Sequence, residues 1–326
     1  AQERKAGEAA SRGLRGEALE GAIHAAGGCA GYVRSGEDWV RHAQAQAIAA
    51  QPLIAIDRIG DAPPEPLPEA PRPLSGVRVL DLTRVLAGPT CARSLAEHGA
   101  DVLKISAAHL ADSGAVELDT GIGKLSARLD LREPEGVRAL RELLRQADVF
   151  SQSYRPGALA APEALAALRP GIVCVSLSAW GTSGPWRARR GFDSIVQSVS
   201  GMAQASAGGD GRPRLLPVSA IDYVSGYLMA FGALIALERR AREGGSWRVR
   251  VALARVGKWI TDLGKAGPGG ADELSTEALQ NLLMQTAAPG GRITHLRPVL
   301  EMSRTPPRWD RPPVPLGYHP PAWPAG

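Results

Sequence analysis

The 326-residue sequence predicts an α/β fold: a doubly wound, mostly parallel sheet with helices on both faces, joined to a partial helical small domain. Two observations carry that expectation. From Val77 to Val251, short β-branched runs alternate with segments of helical spacing, the pattern of strands crossed over by helices. Ahead of them stands a stretch with six prolines between Asp61 and Pro73, which can be neither helix nor central strand.

Before that linker, Glu17–Ala26 is Ala-rich with Leu19 and Ile23 four apart, and Asp38–Ala50 repeats the pattern after a Ser35-Gly36-Glu37 break. Pro52–Asp57 is strand-like. Few large side chains lie in residues 1–58, so this segment must pack on something else. After the linker, Val77–Leu82 reads as a strand, and Gly88-Pro89 opens a helix that closes at His98-Gly99. Asp101–Ile105 and Ala127–Leu131 read as strands. Pro134 starts a helix with Val137, Leu140, Leu143 and Leu144 on one face. Strand Asp148–Ser151, helix Pro162–Leu168 and strand Ile172–Leu177 follow. The most apolar helix covers Ile221–Arg242, and Trp247–Val251 is the next strand. From Gly264 the Gly- and Pro-rich chain is expected to lie as an extended tail. The boundaries are thus 1–58 for the helical segment, 59–73 for the linker, 74–254 for the α/β domain and 255–326 for the tail.

Composition narrows the function classes. Hydrophobic residues at 44% and charged residues at 22% describe a globular chain rather than a disordered one or a coiled coil. A net charge of +5 without a concentrated basic stripe argues against nucleic acid. The longest apolar run, Val224–Leu237, is short for a bilayer span, and AQERKAGEAASRG at the start has no apolar signal core. Three cysteines, Cys29, Cys91 and Cys174, are too few and too scattered for a disulfide framework or zinc ribbon. These features predict a cytoplasmic protein without membrane or metal; the six histidines have no partners at ligand spacing.

Ligands of such sheets sit beyond the carboxyl ends of the strands. The first strand runs into Thr83–Pro89, which lacks GxGxxG, and neither GxxxxGK[ST] nor GxSxG occurs. A dinucleotide dehydrogenase, a P-loop enzyme and a serine hydrolase are therefore disfavoured. The segment is a plain βα turn, or a helix start whose N–H groups face a phosphate or carbonyl. Cys91 and Cys174 read as buried thiols. Asp222 stands at the start of the apolar helix, in Ser219-Ala-Ile-Asp222-Tyr-Val-Ser-Gly226. It is either a helix cap or an ionised carboxylate able to attack an activated carbonyl. Gly181-Thr-Ser-Gly184 and Gly208-Gly209-Asp-Gly211 are surface turns or close-approach loops, and spacing does not separate the two.

Six ordered stretches resemble the class III CoA-transferases, the family that includes formyl-CoA:oxalate CoA-transferase and the α-methylacyl-CoA racemases. LSGVRVLDLTRVLAGPTCARSLAEHGADVLKI (Leu74–Ile105) resembles the opening block, and TGIGKLSARLDLREPEG (Thr120–Gly136) the "NRGKRS…LDL…PEG" block. ADVFSQSYRPGAL (Ala147–Leu159) is similar to "ADV…ENFRPG", and LRPGIVCVSLSAWGTSGPW (Leu168–Trp186) to the "GFG..GP" block. GFDSIVQSVSGM (Gly191–Met202) and the run from Pro217 to Leu253 complete the series. The resemblance implies a Rossmann-like domain and transfer of coenzyme A from an acyl-CoA to a small carboxylic acid, with Asp222 as nucleophile and an aspartyl-CoA intermediate. By motif position it implies CoA contacts at Arg84, Leu86, Ala87, Lys104, Lys124, Ser153 and Arg155, and a homodimer.

The departures shape the alternatives. "GKRS" reads Gly123-Lys124-Leu125-Ser126, "ENF" reads Gln152-Ser153-Tyr154, and the racemase histidine position is Phe192. Without that acid–base partner a two-base racemisation is the weaker reading. Residues His24–Ile56 resemble a late part of the family's smaller domain, here standing first, and Arg297–His319 resembles the closing segment. A rearranged or truncated smaller domain, in a chain that starts part-way through a longer product, is the expectation. It keeps open a non-catalytic acyl-CoA-binding protein.

Overall fold

The computed structural model describes residues 7, 9–110, 114–154, 159–264 and 274–324. Along the chain the elements are α1 (Gly16–Ala25), α2 (Gly36–Arg41), α3 (Ala43–Ala49), β1 (Ala55–Gly60), β2 (Arg78–Leu82), α4 (Ala87–Glu97) and β3 (Asp101–Ser106). Next come α5 (Ala115–Thr120), β4 (Lys124–Arg128), α6 (Pro134–Leu144), β5 (Val149–Gln152), α7 (Pro162–Leu168) and β6 (Val173–Ser178). Then follow α8 (Asp193–Val199), α9 (Met202–Ala205), α10 (Ala220–Glu243), β7 (Ser246–Ala252) and α11 (Leu253–Asp262). The last are α12 (Thr276–Asn281), β8 (Leu283–Ala288) and β9 (Gly291–Leu296).

Two compact units result, and neither is one run of sequence. The sheet unit comprises residues 54–177, 222–251 and 265–326; the second unit joins 1–53, 178–221 and 252–264. The boundaries expected at 58, 74 and 254 therefore shift. Residues 55–60 pair with β7 in the sheet instead of staying with the leading helices, and residues 178–221, expected inside the α/β domain, join those helices.

In the sheet unit the strand order is β1-β7-β6-β5-β2-β3-β4. Strands β4, β3, β2, β5 and β6 pair in parallel, and β1 joins β7 antiparallel at the far edge. From β2 the order runs outward one way to β4 and the other way to β7, so direction reverses between β2 and β5. Such a reversal opens a crevice at the carboxyl ends of the two strands. Val79, Leu80 and Leu82 of β2, Val102 and Leu103 of β3, and Val149 of β5 are 0–1% exposed, as strands covered on both faces must be. One apolar cluster joins Leu80, Leu103 and Phe150 to Leu140 and Leu143 of α6 and Leu165 of α7.

Strand β4 begins three residues before the predicted Ala127–Leu131. Its Lys124 and Ser126 are polar and hide the strand in the sequence, yet Lys124 pairs in register with Val102 and is 1% exposed. The expected extended tail from Gly264 instead carries α12 and a hairpin, in which Ala288 faces Gly291 across a Pro289-Gly290 turn. From Thr305 the chain is without helix or strand among the described residues and runs along the sheet unit. Trp309 donates to the Arg93 carbonyl, Gly123 N–H to the Arg311 carbonyl, and Arg311 pairs with Asp101. Ser126 on β4 is met three times: by Gly317 N–H at its hydroxyl, by His319 N–H at its carbonyl, and by His319 Nδ1 at its own N–H.

The 24-residue α10 is long and apolar enough to cross a bilayer, with mean hydropathy 1.6 over the best window. It reaches Glu243, beyond the short run visible in the sequence, but 56% of that window is buried. It is a core helix of the sheet unit.

The second unit is built around aromatics. Trp39, Trp180 and Trp186 lie 4.9–6.2 Å apart between ring centroids, with His42 stacked on Trp39 at 5.4 Å. Gln44, 0% exposed, donates to the carbonyls of Trp180 and Ser183 and accepts from Trp186 N–H. Arg34 grips Glu20 through two bonds of 2.9 Å, both side chains buried.

Candidate active site

The loop from β2 to α4 is the first feature of the crevice. Asp81, 0% exposed at the end of β2, accepts from Thr83 N–H and Oγ1–H, turning the chain at once. Two residues on, Val85 has φ +70°, a left-handed conformation that a β-branched residue rarely adopts. Leu86 then caps α4 without a side-chain hydrogen bond of its own to the first-turn amides, which include Ala87 and Gly88. Pro89 has no N–H to offer. The loop thus presents backbone donors at a helix start, a geometry suited to a carbonyl oxygen that gains charge.

Beside it, β5 ends at Gln152, paired in register with Leu82 of β2. Ser153 is half-buried just beyond, and Tyr154 N–H bonds to the Gln152 side chain. Burial pushes the Tyr154 phenol up while the charge of Arg84 pulls it back, so Arg84 and the segment after β5 face the same space. Arg155 lies outside the described residues.

Helix α10 supplies the carboxylate. A Cβ on Gly226 would come 2.5 Å from the Ala87 carbonyl oxygen and 2.7 Å from Thr90 Cβ, a crossing only glycine allows. Asp222 is in the first turn of α10 and lies one turn before Gly226 on the same face. It is 7% exposed. The expected nucleophile, Arg84, Leu86, Ala87 and Ser153 thus gather around the ends of β2 and β5 and the starts of α4 and α10. Leu86 and Ala87 are themselves buried, at 8% and 2% exposure, so their backbone is what they can offer.

The two lysines differ from the expectation that they meet CoA phosphates. Lys124 Nζ lies 2.8 Å from Asp81 and 2.9 Å from the Pro89 carbonyl, with the pair 1% and 0% exposed. Burial pulls its ammonium below the usual lysine range, and Asp81 pulls the other way. Lys104, 3% exposed, pairs with Glu117. Both charges are answered inside the protein. Lys124 ties β2, β4 and the first turn of α4 together and so positions the loop. Composition alone could not show this, because Asp81 and Lys124 are 43 positions apart. The Asp81-x-Thr83 spacing was the one local signal for the turn, and nothing in the sequence marks Val85.

The thiols follow the expectation. Cys91 is fully buried and burial pushes it up; Cys174 is pushed up to about 12 for the same reason. Phe192, at the racemase histidine position, precedes α8 in the second unit and is 47% exposed.

Comparison with known proteins agrees with this architecture. An acetyl-coenzyme A transferase, nodX, of Hypoxylon pulicicidum is 35% identical over 204 residues, covering 59% of this chain and 34% of that protein. The succinyl-CoA–D-citramalate CoA-transferase of Chloroflexus aurantiacus is 34% identical over 199 residues, covering 56% and 50%. The succinyl-CoA:glutarate CoA-transferase of Mus musculus is 34% identical, covering 53% and 43%. The chain spans about a third to a half of the length of these relatives. In fold it is similar to the crystal structure of Rv3272 from Mycobacterium tuberculosis, at TM-score 0.68 and 22% identity over 78% of this chain and 99% of that one. Residues 74–264, more than half of the chain, match CoA-transferase family III, and the chain belongs to that family.

Proposed function

We propose that this protein transfers coenzyme A from an acyl-CoA thioester to a small carboxylic acid, with Asp222 as the nucleophile. The observation that carries this reading is the Gly226–Ala87 crossing, which packs the second turn of α10, one turn past Asp222, against the first turn of α4. A carboxylate at the start of one helix is thereby brought near the start of another. The α10 dipole favours the ionised acid, and partial desolvation sharpens it as a nucleophile.

A carboxylate oxygen of Asp222 attacks the thioester carbonyl, whose oxygen gains charge opposite the Ala87 and Gly88 amides. The C–S bond breaks, giving a mixed anhydride and CoA thiolate. The thiolate attacks the aspartyl carbonyl, releasing the donor acid as its carboxylate and leaving aspartyl-CoA. An acceptor carboxylate reverses both exchanges, and Asp222 returns to its ionised form. Arg84 and Ser153 are the groups disposed to hold the CoA. Succinyl, malyl and citramalyl chemistry in the relatives' names makes a short dicarboxylic acid the first acceptor to try. A cytoplasmic homodimer completes the reading, and sedimentation velocity tests the dimer.

The direct test is to incubate the protein with succinyl-CoA, trap with hydroxylamine and map the modified peptide by mass spectrometry. A hydroxamate at Asp222 is expected, and Asp222→Asn should lower transfer by at least about 10³-fold. The second reading is a non-catalytic acyl-CoA-binding protein, favoured by the low exposure of Asp222 and by the internal pairing of Lys104 and Lys124. CoA binding without any adduct would select it. Racemisation is the third, and α-proton exchange in deuterated water without an acceptor acid would reveal it.

A further inference from the structure

On the side of α4 away from β2, a cavity of about 110 Å³ opens within the sheet unit. Thr90, Arg93, Ser94 and Glu97 face it at helical spacing from α4, opposite Tyr223 and Tyr227 of α10. The arch Leu296–Val299 and Trp309 close the other sides, and Asp222 is not among the lining residues. At roughly 10–15 Å³ per water-sized sphere the space holds several heavy atoms.

This stripe is polar on a helix that is otherwise packed with Ala, Cys and Leu, and its polar groups are not all met. Thr90 is 3% exposed and its Oγ1 has no hydrogen-bond partner among the described residues. Arg93 gives Nη1 to Asp119 at 3.1 Å and stacks 4.5 Å over Trp309, while its buried Nε–H has no partner among them. Unmet buried groups of this kind are costly unless something fills the space. A donor from guanidinium, a hydroxyl and two phenols converging on one small cavity fit a planar oxyanion with a short apolar body. The Arg93–Asp119 pair is neutral together, and Arg297 on the arch adds one positive charge.

We propose that this cavity binds one small carboxylic acid, at a site separate from the nucleophile. Glu97 couples it to pH. Burial pushes its carboxyl up to about 7, with Arg93 pulling it down. The other charged or titratable groups near Glu97 are His98, 3.7 Å away with its own proton affinity lowered by burial, and Asp119, Tyr227 and Arg297 across the cavity. Arg72 and Arg308 reach only the Glu97 carbonyl, through a guanidinium and a backbone N–H. An ionised Glu97 repels an entering carboxylate, and a protonated one can donate to it. Binding therefore takes up a proton above pH 7 and tightens as pH falls.

Ligand-observed NMR with sodium propionate at pH 6 and pH 8 tests the site on the intact chain. Binding should be about tenfold tighter at pH 6, following one decade per pH unit above the Glu97 midpoint. Glu97→Gln should keep binding and lose the pH dependence. Thr90→Val should weaken binding severalfold, and Thr90→Ser should restore it, which separates a lost hydroxyl from a misfolded helix. Asp222→Asn should bind propionate unchanged, so failure of the nucleophile assignment leaves this result intact. Absence of propionate binding at either pH, meaning a cavity filled by water alone, would overturn the proposal. Loss of binding in Asp222→Asn with none in Thr90→Val would do the same, because the acid would then sit at the other site.

Discussion

The two units of the molecule are assembled by different means. In the sheet unit, β2, β3 and β4 lie side by side in chain order on one side, and β5, β6 and β7 do so on the other. In the second unit, Gln44 bonds to Trp186 across 142 positions, and two remote segments share the Trp39, Trp180 and Trp186 cluster. The first is stabilised by many interchangeable aliphatic contacts, the second by a few polar and aromatic ones without substitutes. Buried charge is common to both: Lys124–Asp81 lies in the sheet unit and Arg34–Glu20 in the other.

The largest effect that could break this contrast is at the Lys124–Asp81 tie of the sheet unit. Lys124→Met leaves Asp81 with its charge unanswered and should cost about 3–5 kcal/mol in urea unfolding. A loss under about 1 kcal/mol would mean that aliphatic contacts alone hold the loop. Next is pH. Glu97 keeps its proton to about 7 when folded, against 4.5 when unexposed to the fold's environment. The native state therefore binds more protons than the unfolded chain between those values, so stability is lost as pH rises from 4.5 through 7. The expected loss is roughly 3 kcal/mol, at about 1.4 kcal/mol per pH unit. Glu97→Gln should flatten that slope in thermal melts at several pH values.

For the second unit, Gln44→Leu strands two carbonyls and an N–H in an aromatic interior, and about 2–3 kcal/mol should be lost. If the unit tolerates it as easily as an aliphatic swap, the idea that its polar contacts lack substitutes fails. The smallest effect is on the exposed side of α11, where Lys258 pairs with Asp262 at i,i+4. Lys258→Ala should change stability by no more than about 0.5 kcal/mol.

How far the sequence could be read follows the same line. Strands β2, β3 and β6 and helices α4, α6, α7 and α10 were legible to within a residue or two, because each carries its own periodicity and its own Gly or Pro punctuation. The places of Asp222 at the start of α10 and of the Thr83–Pro89 loop between β2 and α4 were legible as well. What local pattern could not show was pairing at a distance. The partner of Lys124 lies on another strand, the register of β4 depends on burying that lysine, and the hairpin of β8 and β9 looks like glycine-rich tail until its two strands meet. The left-handed Val85 has no glycine or asparagine to announce it. The polar stripe Thr90–Glu97 is visible in the sequence only as an ordinary amphipathic turn; that it faces inward depends on Tyr223 and Tyr227.

Ser126 and its three bonds from Gly317 and His319 have a consequence for the chain's behaviour in company. Strand β4 is the outermost of its sheet, and an uncovered rim of N–H and C=O groups invites strands from other molecules to add on. The closing segment occupies part of that rim with a piece that cannot pass the invitation along: Pro312, Pro313, Pro315, Pro320 and Pro321 have no N–H to give. The proline run thus acts as a terminator, ending lateral growth at the border of one molecule.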